Sequence, residues 1–334
     1  MYRTRKQLYQ TLEQERQSKL LVYVTGDRLG LEAQIHQEVL DFLVGHLDKI
    51  NSANKISLYL YTRGGSTLAA WSIVNLLNQF CNEFEVIIPS KAHSAGTLIC
   101  LGANNLVMTK QATLGPIDPS VNTPLNPEVP GAPPPNNRMP VSVEAINGFL
   151  ELAKSQGINK GEDLVTILTT LAAHVHPLVL GDVYRTRSQI RMLGERLLSR
   201  HINDKEKIEK ILGFLCSESG SHDYTIYRQE AKNNLGLNVE NPSDSLYNMI
   251  KDIYDDIASE LELTQPYNPA ILLGEQPQKQ YKFNRAIIES IEGGSDVFLS
   301  EGTIIKRNIN VPNQGIQIAF EDQRMFEGWK HEEA

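Results

Sequence analysis

The chain has 334 residues, 41% hydrophobic and 22% charged, with a formal net charge of -8. This is ordinary globular composition with enough apolar material for one or two domains, and the acidic balance excludes a chain drawn to nucleic acid by its overall charge. Cys81, Cys100 and Cys216 are scattered, with no CxxC spacing, which excludes a disulfide framework or a zinc knuckle and points to free thiols in a reducing compartment.

Residues 4–19 read as a polar helix or arm. This stretch has no apolar core of the kind a secretory leader carries, and no apolar run in the chain approaches the roughly 20 residues that cross a bilayer. A cytoplasmic protein is the expectation. Residues 19–27, KLLVYVTGD, form a short apolar run that ends on a Gly-Asp turn and predicts a buried strand. Residues 34–50 have apolar positions at helical spacing: Ile35, Val39, Phe42, Leu43, Leu47 and Ile50. A second strand spans 56–61 and ends in paired glycines. A helix follows over 66–80, a third strand over 84–89, then a turn into an apolar helix, then a strand over 105–110. Strands alternating with helices predict an α/β protein with a mainly parallel sheet.

Residues 118–140 change character. Their prolines and asparagines, with the run Pro133-Pro134-Pro135, predict a non-helical loop over the site. Helix is predicted over 142–201 and 203–215. A further helix starts near 241, with Leu246, Ile250, Ile253 and Ile257 on one stripe. From Tyr281 the pattern is strand-like, a C-terminal β addition with an exposed tail. The expected organisation is an N-terminal arm (1–19), a catalytic domain (20–260) and a strand-rich extension (261–334).

Two glycine-bearing strand ends carry the chemistry. Arg63-Gly64-Gly65 follows the second strand and His93-Ser94-Ala95-Gly96 follows the third. A parallel sheet presents sites at the carboxyl ends of its strands. A serine opening a helix there is exposed on a turn, beside backbone N–H groups with no intrahelical partner. Gly64 and Gly65 let a second segment approach closely. N–H groups near Gly65 and Ala95, with Gly64 and Gly96 shaping the turns, are expected to hold an oxyanion next to the Ser94 hydroxyl.

TRGGSTLAAWSIVNLL and PSKAHSAGTLICLGANNLVMTKQATLGPIDPS resemble the Clp-protease/crotonase superfamily, and within it the serine-dehydrogenase-proteinase branch related to signal-peptide peptidases. That branch carries a Ser-Ala-Gly-Thr turn, a Leu-Gly-Pro-x-Asp-Pro segment, His-Pro-Leu before a helix and a Ser-His-Asp-Tyr stretch. Here these fall at 94–97, 114–119, 176–178 and 221–224. The resemblance covers residues 20–260 and implies stacked ββα units, ring-like or trimeric assembly, and a serine peptidase.

The resemblance leaves the base open. Clp proteases use a histidine on the strand after the nucleophile helix, a place that falls near Ile117 or Asp118 here. Signal-peptide peptidases use a lysine further on, where this chain has its Pro/Asn-rich segment and no lysine. A hydroxyl nucleophile needs a base. His222, in a polar turn, is the expected base, with Asp118 as its acidic partner and Asp223 as another choice. His176 and Lys110 are reserves. The expected function is peptide-bond hydrolysis through an acyl-enzyme on Ser94, by a homo-oligomer with no metal or cofactor, acting on a peptide or protein. The alternatives are a crotonase-type enzyme that stabilises an acyl-CoA enolate without a serine nucleophile, and a non-catalytic scaffold of the same fold.

Overall fold

Strands and helices alternate over the first hundred residues because short runs rich in Val, Ile, Leu and Tyr, too short for buried helices, are separated by amphipathic stretches. The computed structural model describes residues 2–131, 137–218, 223–311 and 315–332. They fall into two units, Met1–Leu114 with Tyr227–Ala334, and Gly115–Ile226.

The first unit begins with α1 (Tyr2–Arg16), β1 (Lys19–Thr25), α2 (Val39–Ile50), β2 (Ala53–Tyr61), α3 (Thr67–Phe80), β3 (Cys81–Ile88), β4 (Lys91–Ala92), α4 (Ala95–Leu101), β5 (Asn105–Met108) and β6 (Thr113–Leu114). Strands β1, β2, β3 and β5 pair in parallel, and β4 pairs in parallel with β6. Helix α2 starts at Val39, so residues 34–38 enter it as loop rather than helix. Helix α1 is polar, as expected, yet Tyr2, Arg5, Tyr9 and Leu12 are buried, so it packs on the body.

The second unit holds β7 (Ser120–Val121), β8 (Val141–Ser142), α5 (Val143–Ser155), α6 (Gly161–His174), α7 (Pro177–Leu198), α8 (Lys205–Gly213) and a π turn at Phe214–Glu218. Its core is a valine cluster of Val121, Val141, Val143, Val175, Val179 and Val183. The helical stretch expected over 142–201 is three helices. Gly157, at φ 84, follows the end of α5, and His176-Pro177 starts α7. The described residues between β7 and β8 include no helix. Buried Asn126 organises them, its Nδ2 donating to Val121 O at 2.6 Å and Met139 O at 2.9 Å.

The chain returns through β9 (Ile226–Tyr227), α9 (Arg228–Asn233), β10 (Val239–Glu240), α10 (Asp244–Glu260), α11 (Pro269–Leu273), β11 (Gln278–Ser290), β12 (Gly294–Val311) and β13 (Gly315–Glu332). The main sheet has eight strands in the order β10-β5-β3-β2-β1-β11-β12-β13. Its first five strands pair in parallel and its last three join antiparallel. This is the α/β architecture with a mainly parallel sheet that the pattern predicts. The strands from 278 on continue the main sheet. The tail expected to be exposed is the end of β13, where the Trp329 ring lies 5.1 Å from Phe42 and 5.6 Å from Phe298.

One face of the sheet is covered by α1 and α10. Leu246, Ile250, Ile253 and Ile257 of α10 pack with Leu20, Val22, Val24, Tyr59 and Tyr61. Each such aliphatic side chain contributes about 1.5–3 kcal/mol when fully buried. Arg5, fully buried, donates to Glu289 Oε1 at 2.6 Å and Glu260 Oε2 at 2.7 Å, and also pairs with Asp256.

Candidate active site

Two loops at the carboxyl ends of β2 and β3 are stitched together. Thr62 N donates to Lys91 O at 3.1 Å and His93 N donates to Thr62 O at 3.1 Å, a parallel bridge between Thr62 and Ala92. The Thr62 hydroxyl accepts from Gly64 N at 3.0 Å, which shapes the glycine turn. Ile35 brackets that turn, donating to Gly64 O and accepting from Ser66 N, each at 2.8 Å. Gly64 and Gly65 have φ of 118 and 142, a region that disfavours side chains.

Ser94 lies against this turn. A Cβ on Gly64 would stand 2.8 Å from Ser94 Cβ and 3.3 Å from Ala95 N, so only glycine lets the segments meet. Ser94 has φ 52 and ψ -112, outside the regions normal for a non-glycine residue. Such strain costs on the order of 1–3 kcal/mol and persists only where the surroundings over-determine it. Here Gly96 N donates to His93 O at 2.8 Å and the Thr97 hydroxyl donates to Ala92 O at 2.9 Å, fixing both sides of the serine. The Ser94 hydroxyl makes no cap hydrogen bond to α4, so helix capping does not account for it.

The expected oxyanion residues divide by what their N–H groups already do. Those of Gly64 and Gly96 are taken, by the Thr62 hydroxyl and His93 O. Among the described residues, those of Gly65 and Ala95 have no partner. Ser94 and Gly65 are half-buried. Two open donors on the turns that meet at Gly64 and Ser94 are the donor pair an oxyanion hole needs; a base is the further requirement.

His222 lies outside the described residues. Asp118, half-buried, accepts from the Ser142 hydroxyl at 3.2 Å and Glu144 N at 3.3 Å, anchoring the start of α5. His176 is exposed and caps α7, its Nδ1 accepting from Leu178 N at 3.2 Å. The Lys110 ammonium stands 4.2 Å from the Tyr247 ring centroid. His93 Nε2 lies 2.9 Å from the Thr113 hydroxyl.

Sequence reading missed two groupings. One is Asp27 with Lys91 and Tyr61, just below the paired loops. Burial alone would raise the Asp27 carboxyl, but hydrogen bonds from Lys91 and Tyr61 hold it below its usual range. The Gly-Asp turn was visible in the sequence; its partner 64 residues on was not. The other is a Ser-His-Asp chain. His46 Nδ1 lies 2.7 Å from the Ser290 hydroxyl, and Nε2 lies 2.9 Å from Asp296 Oδ2. Ser290 is 0% exposed and His46 1% exposed. Gly293 N also donates to the Ser290 hydroxyl at 2.8 Å. Largely buried, this trio clamps the β11–β12 turn to α2.

Among the described residues, no group of three or more His, Cys, Asp or Glu side chains is placed to share a metal ion, and no single helix is long and apolar enough to cross a membrane.

Comparison with known proteins agrees with the motifs. Residues 43–129, the span holding both glycine loops and Ser94, match the model of the ClpP-like SDH-type serine proteinases. Over that span the chain is similar to a family of serine proteinases. The uncharacterized protein MJ0137 of Methanocaldococcus jannaschii is 29% identical over 197 residues, which are 59% of this chain and 57% of that protein. The uncharacterized protein MJ1495 of the same organism is 41% identical over 66 residues, 20% of this chain and 23% of that protein. The matches thus span about half of the first relative and a quarter of the second. Among solved structures, a variant of the 1510-N membrane-bound stomatin-specific protease aligns with TM-score 0.38 and 16% identity, over 70% of this chain and 85% of that one. A variant of ClpP1 from Listeria monocytogenes aligns with TM-score 0.36 and 14% identity, over 70% of this chain and 99% of that one.

Proposed function

We propose that this protein hydrolyses peptide bonds in peptides or proteins through an acyl-enzyme on Ser94. The observation that carries the reading is the Ser94 turn, whose hydroxyl is left uncapped beside two unpartnered backbone donors. In the first step Ser94 Oγ attacks the peptide carbonyl carbon. The carbonyl oxygen becomes an oxyanion that accepts from the N–H groups of Gly65 and Ala95. The base takes the hydroxyl proton and returns it to the leaving amine as the C–N bond breaks. Water then attacks the ester, the base takes its proton, and Ser94 is regenerated.

The proposed base is His222, with Asp118 as its acidic partner. Asp118 also anchors α5, so its replacement acts on stability as well as on rate. The free thiols of Cys81, Cys100 and Cys216 favour a cytoplasmic setting. A homo-oligomer is supported by α6, which buries no residue and leaves Val165 and Leu168 63% and 48% exposed.

Turnover of a quenched fluorogenic casein tests the reading. Ser94→Ala is expected to lower kcat by about three orders of magnitude or more, and His222→Ala by roughly 10²–10⁴. Equal turnover by wild type and Ser94→Ala contradicts the proposal. No turnover in either, together with binding of an acyl-CoA, favours enolate chemistry on the same fold.

A further inference from the structure

We propose that the Asp27–Lys91 ion pair is a positioning device that holds the nucleophile loop and the oxyanion loop in register; it rests on the serine-hydrolase reading above. Lys91 Nζ lies 2.8 Å from Asp27 Oδ2, and the Tyr61 hydroxyl donates to Asp27 Oδ1 at 2.6 Å. The Lys91 ammonium also stands 5.5 Å from the Tyr61 ring centroid. The side chains of Asp27 and Lys91 are 11% and 30% exposed, so the pair is largely withdrawn from water and its geometry is held by three contacts.

The place of each partner in the chain gives the pair its leverage. Asp27 follows β1 and opens the loop that returns as Ile35, whose N–H and C=O bracket Gly65. Lys91 begins the run that ends on Ser94, and its carbonyl accepts from Thr62 N, two residues before Gly64. Tyr61 is the last residue of β2. The pair therefore ties together the carboxyl ends of β1 and β2 and the approach to Ser94. It touches neither the nucleophile nor the two donors. Breaking it frees both loops to shift, and a shift of about 1 Å at a reacting centre costs roughly a hundredfold in rate. Without Lys91 the Asp27 carboxylate keeps only the Tyr61 hydroxyl in a largely buried place, which loosens the same segment.

The test uses the full chain, with a fluorophosphonate probe for reactivity and amide hydrogen exchange for position. In Lys91→Met the stem still packs but the charge is gone; in Lys91→Arg the charge is kept. In Lys91→Met, phosphonylation of Ser94 and kcat on the casein substrate are expected to fall roughly tenfold to a hundredfold. KM stays within about twofold because no substrate contact is lost. Exchange at Gly64 and Gly96, whose N–H groups are bonded within the two loops, rises. Lys91→Arg restores rate and protection. Wild-type reactivity and unchanged exchange in Lys91→Met overturn the positioning role and leave Ser94 as the nucleophile. Failure of wild type to label at Ser94 overturns the serine reading itself. In that event exchange still judges the pair: faster exchange at Gly64 and Gly96 supports it as the register device, and unchanged exchange overturns it.

Discussion

At Ser94 the backbone carries the chemical information. The residue sits at φ 52 with no cap bond, and neighbours on both sides are fixed by hydrogen bonds that hold it there. Gly64 is the counterpart, because its bare Cα is what lets the loops touch. Gly64→Ala must push Ser94 or the turn away and place a side chain at φ 118. It is expected to cost on the order of 2 kcal/mol of stability and to lower Ser94 phosphonylation by roughly a hundredfold. Thermal melts and labelling rates on the same sample check both, and a variant as reactive as wild type would contradict the close approach. The meeting of the two turns was readable in advance, since turns that follow neighbouring parallel strands fall at one edge of the sheet. Donors near Gly65 and Ala95 are the sequence expectation; what occupies the N–H groups of Gly64 and Gly96 was not readable. The Thr62 hydroxyl and the His93 carbonyl capture them, contacts that no spacing rule predicts.

At the scale of elements, periodicity located most strands and helices because burial imposes it. The α10 stripe of Leu246, Ile250, Ile253 and Ile257 is buried as its spacing requires. Polar long-range contacts carry no such period. Helix α1 reads only as a polar helix or arm until Arg5 is seen to meet Glu289, 284 residues on. The trio of Ser290, His46 and Asp296 is of the same kind. By hydrogen bonding it resembles a catalytic triad, by burial a clamp. His46→Ala removes the imidazole between the Ser290 hydroxyl and the Asp296 carboxylate, leaving them Gly293 N and His331 Nδ1 as partners beside a cavity in a largely buried site. The expected loss is about 2–4 kcal/mol by denaturant titration, with Ser94 labelling intact below the transition. Loss of labelling in folded His46→Ala would instead give the trio a role in the chemistry.

For the molecule as a whole, buried ion pairs set the response to acid. Burial alone would raise the Glu85 carboxyl, but hydrogen bonds from Arg16, Ser57 and Lys55 bring it down to about 2 from 4.5. A carboxyl depressed on folding adds stability above its unfolded value and loses it as pH falls toward its folded value. Stability is therefore expected to drop between about pH 4.5 and 2, and Glu85→Gln should flatten that part of the profile. Asp27 shifts in the same direction, so the Asp27–Lys91 pair persists into mild acid. The central claim, that Ser94 is a nucleophile, is tested most directly by intact mass and peptide mapping after incubation with a fluorophosphonate. The account predicts one phosphonyl adduct per chain, located on Ser94 and absent from Ser94→Ala. An unmodified wild-type chain, or an adduct that persists in Ser94→Ala, would contradict it.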